Sequence, residues 1–420
     1  MIMVSRAPPE RWERALWYAF LLAWMQGMAL LNVAWGLLLP VLLRRLPEAW
    51  RQLRPRRMVV AVVGAYLGWR ILTTLWADAP RQAMVGLFDD ARALTIGLVA
   101  LVMLEHRRER VRAAWLSFAG VALLSWWSLA CQLTDAGLRT TGHTIYGTFA
   151  HLNYSATYSM IAMLIMLHQL TRMAWRQGRW MIAGIVPIAA MQIPLGSRTV
   201  LLAALIGCLL FALWRRQRRV VLALAGAGLL MGGLAWSVPH WTGQFSSLSA
   251  IEGQLQGRRT MPSLQIRLEI WGLLVQITRD HPWGLGPRNH GYIDLRPYRG
   301  WIEQHMPTAL SATFGADAEV TEERLHLLLY DPHSQYMEAL VDGGIVGLLS
   351  LLAMLALPVV LARGSDMPDE LFVAALIVCW MYAWSGLTVT IFHQAGLIIY
   401  FLLLALLLRE RKECPQGERP

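Results

Sequence analysis

The sequence predicts an all-α protein, a polytopic helical membrane bundle of about twelve transmembrane helices with a helical cap between spans nine and ten. Three observations lead there. Apolar runs long enough to cross about 30 Å of hydrocarbon recur along the chain. Its 420 residues are 56% hydrophobic and 15% charged, with a mean hydropathy of +0.42, well beyond ordinary soluble usage. The formal net charge of +11 sits mostly in short loops on one side of the runs, which reads as a positive-inside pattern and excludes nucleic acid as the partner.

Lys412 is the only lysine. A preference for guanidinium suits phosphate recognition, but a GC-rich genome produces the same bias. Cys131, Cys208 and Cys379 lie in apolar runs and Cys414 in the tail, which suggests neither a disulfide framework nor a zinc site. The first apolar run is too long for a signal-peptide core and has arginines on both flanks, so no cleavable signal is expected.

Arg6, Arg11 and Arg14 precede a run over about 15–43, and Arg44, Arg45, Arg51, Arg54, Arg56 and Arg57 follow it. Basic flanks belong in the cytoplasm, so this run crosses twice as two short or tilted helices. Spans three and four read as 58–76 and 82–104, ending in the basic loop 105–112. Arg70, Asp89, Asp90 and Arg92 fall inside them. An intramembrane charge is a functional candidate, yet the i,i+3 spacing of Asp89 and Arg92 favours structural pairing. Span five, 113–133, empties into the polar stretch 134–153, and span six returns from 154 to Arg172, Arg176 and Arg179. Spans seven and eight, 180–195 and 199–214, meet at the tight turn Gly196-Ser197-Arg198. Span nine, 220–238, leads into the long exterior segment 240–330. Spans ten, eleven and twelve read as 345–361, 370–387 and 395–408, after which Arg409, Arg411 and Lys412 return the tail to the cytoplasm. The chain therefore divides into 1–238 (spans one to nine), 239–334 (exterior cap) and 335–420 (the last three spans and tail). No inverted repeat of broken helices stands out.

The residues with chemistry gather on the exterior side. Asp331-Pro332-His333-Ser334 stands where the long segment ends and a helix begins. Proline suits the first helical position, Asp331 can cap it, and the positive helix end favours the neutral imidazole that a general base needs. The plainer role for His333 is a cap or a headgroup contact. Residues 262–280 read as an amphipathic helix in which Gln265, Glu269, Gln276 and Asp280 share one face. Arg267 points the other way, beside Leu264, Trp271, Leu274 and Thr278. An arginine there is expensive unless it snorkels or an anion meets it: an acidic side chain, a lipid headgroup or a phosphorylated substrate. Arg198, in its short exterior turn, stands at the depth of a lipid-linked phosphate, which a guanidinium grips with bidentate, charge-assisted hydrogen bonds; topological anchoring is the alternative. His281-Pro282-Trp283-Gly284-Leu285-Gly286-Pro287-Arg288 reads as a tight, glycine-shaped loop whose backbone amides can approach an anion.

Ser197-Arg198-Thr199, Arg267-x-x-x-Trp271, the His281-Pro282-x-Gly284-x-Gly286 loop and the run from His333-Ser334-x-Tyr336-x-Glu338 to Gly344-Ile345-x-Gly347 stand in an order that resembles the O-antigen ligase and polymerase superfamily. Gly147-Thr148-Phe149-x-His151-x-Asn153-Tyr154 is similar to that family's stretch before its middle spans. The motifs cover roughly residues 140–350, and the first hundred residues carry none of them. The resemblance implies a glycosyltransferase in a bacterial inner membrane, its active site facing the periplasm and both termini cytoplasmic. Its donor would be an O-antigen glycan on undecaprenyl diphosphate, with Arg198 and Arg267 on the diphosphate and His333 as the base. Arg288, His151, Asn153, Tyr154, Tyr336 and Glu338 are further substrate contacts by the same matching, with His290 a competitor of Arg288. The acceptor separates the members: a lipid A-core hydroxyl for a ligase, a second lipid-linked repeat for a polymerase, a protein side chain for an oligosaccharyltransferase. The chain ends soon after span twelve, which favours the ligase over the protein enzyme. No cofactor is expected, and no exterior acidic pair demands a metal. A transporter or flippase is the reading from another class, with Arg70, Asp89, Asp90 and Arg92 as its best support.

Overall fold

The computed structural model describes residues 9–24, 28–134, 152–170, 172, 175–195, 197–215, 226, 262–314, 329, 332–363, 369–387 and 395–410. Among these residues there are fourteen α-helices and no strand. In order they are α1 Arg11–Ala23, α2 Met28–Leu53, α3 Arg57–Thr73, α4 Pro80–Met103, α5 Arg107–Thr134, α6 Leu152–Leu170 and α7 Trp175–Leu195. There follow α8 Arg198–Arg215, α9 Pro262–Asp280, α10 Arg299–His305, α11 Pro307–Phe314, α12 Gln335–Ala362, α13 Asp369–Ser385 and α14 Ala395–Glu410. The protein is an all-helical membrane protein. Four helical stretches, Leu30–Leu53, Arg57–Trp76, Arg107–Ala130 and Gln335–Ala362, are long and apolar enough to cross a bilayer. Large apolar side chains such as Leu75, Trp127, Trp180 and Leu349 point outward, as they do where acyl chains are the solvent.

The helices fall near the expected spans, with several boundaries corrected: α5 starts at Arg107 rather than 113, α7 at Trp175 rather than 180, and α12 at Gln335 ahead of the expected 345. The first apolar run was expected to end near residue 43, but α2 continues through Arg44 and Arg45 to Leu53. The buried Arg45 makes this possible, its Nε and Nη2 meeting the two Glu13 oxygens of α1 at 2.9 and 2.6 Å. A paired guanidinium lets the helix run on inside the protein where an unpaired one would have to end it. The ninth span, 220–238, falls outside the described residues.

Helix α4 packs between α2 and α14, α12 lies along α3, and α6 sits against α7 and α13. Small residues permit the close approaches: a Cβ on Gly97 would stand 2.7 Å from that of Phe401, and one on Gly184 would stand 2.4 Å from Cζ of Phe118. A second apolar core stands apart from the bundle core. Ile270, Leu273, Leu274 and Ile277 of α9 close on Ile302, Met306 and Ala309, and Val341 of α12 joins them. The amphipathic reading of 262–280 therefore holds. Glu269, however, turns inward to accept from the amide of Ala309 at 2.7 Å, which satisfies a free N–H at the start of α11. Burial and a hydrogen bond to Asp280 raise the Tyr298 phenol above its usual range, tying the end of α9 to the segment before α10.

Candidate active site

The site is assembled at one end of the bundle, and its placement can be built from contacts. At one end of α6, Arg172 pairs with Asp369 and Glu370 at the start of α13. At the other end, Thr157 of α6 lies 3.4 Å from Ser385 at the close of α13, so these helices run antiparallel. Gln192, near the end of α7, donates to Ser159 at 2.8 Å, which brings the α7–α8 turn to that same end. Arg198, the first residue of α8, therefore stands level with Ser385; its side chain is outside the described residues. Trp380 donating to the Ala203 carbonyl at 2.8 Å agrees with this register.

The start of α12 is fastened to the same place. The Gln335 amide donates to the Gly386 carbonyl at 2.8 Å, the Ser334 hydroxyl to the same oxygen at 3.2 Å, and the Tyr336 hydroxyl to Ala383 at 2.7 Å. The helix begins later than the sequence reading has it. Ser334 is the N-cap, accepting from Met337 N at 3.4 Å, so Pro332 is not the first helical residue. The reason is local: His333 has φ +50°, outside helical space, and serine is a strong cap. His333 thus precedes the cap, half-buried, and Asp331 lies outside the described residues. Trp271 of α9 donates to the Pro332 carbonyl at 3.0 Å. Arg267 lies one turn before Trp271 on the same face, so α9 brings the arginine to the side of the histidine. His151 is outside the described residues, as are the side chains of Asn153 and Tyr154.

Below this end α12 is broken. Gly344 has φ 62° and ψ −163°, so residues 335–343 form a short first rod and the spanning part starts at Ile345. A broken helix leaves its last carbonyls without partners. Here the Leu285 amide takes Val341 O at 3.0 Å, Gly286 takes Asp342 O at 2.8 Å, and the Trp69 indole takes Gly343 O at 2.6 Å. The glycine-shaped loop 281–290 therefore does approach an anion with its amides, but the anion is the protein's own. The Asp342 carboxylate accepts from Arg288 N at 2.6 Å, His290 N at 3.1 Å and His290 Nδ1 at 3.0 Å.

The charged residues of α3 and α4 complete this docking. Asp89 pairs with Arg92 at 2.7 Å as its spacing suggests, and also with Arg288 Nη2 at 2.6 Å, a partner 199 residues away. Arg70 pairs with Asp90. A small, partly open cavity lies beside them, lined among others by Tyr66, Arg70, Gln335, Glu338 and Asp342. Glu338 therefore faces this cavity, while Arg288 and Tyr336, matched as substrate contacts, are engaged within the protein. Asp342 lies inside the 333–347 run with no role legible from the sequence, and His290 stands in the sequence reading only as a competitor of Arg288. The signal available was a carboxylate directly before two glycines in an apolar run.

Residues 183–352 match the family model described as O-antigen ligase, a stretch that holds Arg198, Arg267, Arg288 and His333. The chain is also 28% identical over 324 residues to an O-antigen ligase of Pseudomonas aeruginosa PAO1, with 74% of this chain aligned. Over this stretch the chain is similar to the O-antigen ligase family. The aligned region spans about two thirds of that relative's length, 66%. Within the stretch that resembles this family, the fold brings to one end of the bundle the elements that carry the motif residues: the start of α8, the Arg267 face of α9 and the residues before the α12 cap.

Proposed function

We propose that this protein is an O-antigen ligase: a metal-independent, inverting glycosyltransferase that moves a glycan from undecaprenyl diphosphate to a hydroxyl of a lipid A-core oligosaccharide on the periplasmic face of the inner membrane. The observation that carries the reading is the convergence of the Arg198 turn, the Arg267 helix face and His333 at one end of an all-helical bundle, within the stretch that matches the family. Chemistry on a lipid-linked donor needs its charged groups at one membrane face, where the diphosphate lies. The similarity to an O-antigen ligase of Pseudomonas aeruginosa supports the same class.

In this mechanism the neutral imidazole of His333 removes a proton from the acceptor hydroxyl. That oxygen attacks the anomeric carbon, its bond to the diphosphate oxygen breaks, and the glycan is transferred with inversion. Arg198 and Arg267 hold the departing undecaprenyl diphosphate and balance its charge. A placed base contributes roughly 10²- to 10⁴-fold, and one preorganised charge-stabilising donor roughly 10²- to 10³-fold. Twelve spans with both termini cytoplasmic, and residues 239–334 as a periplasmic cap, belong to the same proposal.

The test is purified protein in detergent with an undecaprenyl-diphosphate-linked glycan, a lipid A-core acceptor and EDTA, comparing wild type with His333→Ala. Transfer that is lost in the variant supports the reading. Elongation of the lipid-linked glycan without transfer to the core replaces the ligase with a polymerase.

A further inference from the structure

We infer that Asp342 is a positioning residue that fixes His333 through the first rod of α12. The inference rests on His333 acting as the base proposed above. Residues 335–343 make a rod about 13 Å long at the helical rise of about 1.5 Å per residue. Its front end, next to His333, is held by Gly386, Ala383 and Trp271. Its rear end stops at the Gly344 break, where the backbone leaves helical φ/ψ and the rod's direction is not carried on. Direction there comes from the 281–290 loop, and Asp342 is the side chain that fastens the two together.

Three donors converge on that one carboxylate, and all lie in the loop. Asp342 is 2% exposed and His290 6%, so neither contact is shared with bulk water. The loop is anchored in turn to the rest of the bundle. Trp76 donates to Gly284 O at 2.9 Å, the Ala79 amide to Asn289 at 2.7 Å, and Arg288 reaches Asp89. The path from α4 through the loop to the rod is therefore continuous, and Asp342 is its last link. His290, Glu338 and Asp342 also bring three ligand-type atoms within 4.8 Å of one another. Both Asp342 oxygens already accept hydrogen bonds, and Arg70 shares the cavity wall with Glu338, so the trio serves as a latch rather than a cation site.

Loosening the rear end tilts the rod and moves the residue before its cap relative to Arg267. A misplacement of about 1 Å at a reacting group costs on the order of 10²-fold. Asp342→Asn is the direct perturbation, because its NH₂ must face a donor that the carboxylate accepted. The expected result is a fall in kcat of roughly 10- to 100-fold with the KM for the lipid-linked donor within about twofold of wild type. Amide exchange followed by mass spectrometry on the full-length protein should accelerate in both 281–290 and 334–343 and stay unchanged in α5 and α7. His290→Ala keeps both backbone donors and should move kcat and exchange in the same direction by less; it also serves if Asp342→Asn does not fold. Unchanged kcat and exchange in both variants would overturn the inference, and so would a raised donor KM at constant kcat, which belongs to a substrate ligand. If wild type transfers nothing but exchange in the two segments still rises together, the latch stands and the transferase reading falls.

Discussion

Two adjacent glycines at the α12 break should respond oppositely to the same substitution. Gly344 has φ 62° and ψ −163°, a region that residues with a Cβ avoid, at a cost of roughly 1–3 kcal/mol. A methyl added there would also stand 2.1 Å from Pro282 O and 2.8 Å from the Trp283 carbonyl carbon, so the loop backbone itself must move. Forcing a packed backbone apart adds roughly 1–3 kcal/mol, for about 2–6 kcal/mol in all. Gly343, one residue earlier, is helical, and its added Cβ would meet Trp69 at an ordinary 3.6 Å. Gly343→Ala should therefore be neutral or stabilise by up to about 1 kcal/mol, since alanine is the better helix former. The twenty tryptophans make intrinsic fluorescence a direct readout of unfolding in detergent, by heat or by denaturing surfactant. A large loss for Gly344→Ala beside little or none for Gly343→Ala is the expected pattern. Equal losses, or a Gly344→Ala protein as stable as wild type, would refute the account of the break as a structure enforced by the loop.

Other perturbations test the surrounding network. Breaking the Arg70–Asp90 pair from either side should destabilise the protein by roughly 3–5 kcal/mol, because each partner is poorly exposed and would lose its ion pair, and Arg70→Met with Asp90→Leu should recover most of that loss in a thermal-unfolding double-mutant cycle. Trp271→Phe removes the donor to Pro332 and should cost about 1 kcal/mol in stability with a larger fall in kcat than in donor affinity, read by the transfer assay. Arg198→Lys and Arg267→Lys should each lower transfer by roughly 10²-fold or more, since lysine lacks the fork that meets a diphosphate; full activity in either would remove that residue from the clamp. A reporter enzyme fused after residue 240 should be active only when exported, and a cytoplasmic signal there would overturn the topology.

Much of this could be read along the chain, for reasons that differ by element. The helix 262–280 was recoverable because its apolar period is a local property, and the structure starts and ends α9 at those residues. The Asp89–Arg92 pair was legible because three residues of helix bring two side chains together. The start of α12 was misread by three residues. Proline before histidine resembles a helix entry, and only the observed φ of +50° at His333 moves the cap to Ser334. The loop amides were rightly expected to approach an anion, but its identity as Asp342 had no local trace.

A bilayer is a solvent that varies in one direction, so the lengths of apolar runs and the sidedness of arginines are enough to state an all-helical membrane protein. The order of a few motifs then points to a resemblance to the family. What the tertiary structure alone decided is which distant groups share a charge or a hydrogen bond. Asp342 is 54 and 52 residues from the amides it receives, and Arg288 is 199 from the carboxylate it pairs with. The physical reason is that a broken helix and a buried carboxylate leave unmet hydrogen-bonding groups whose partners are chosen by packing in space, and no periodicity along the chain records that choice.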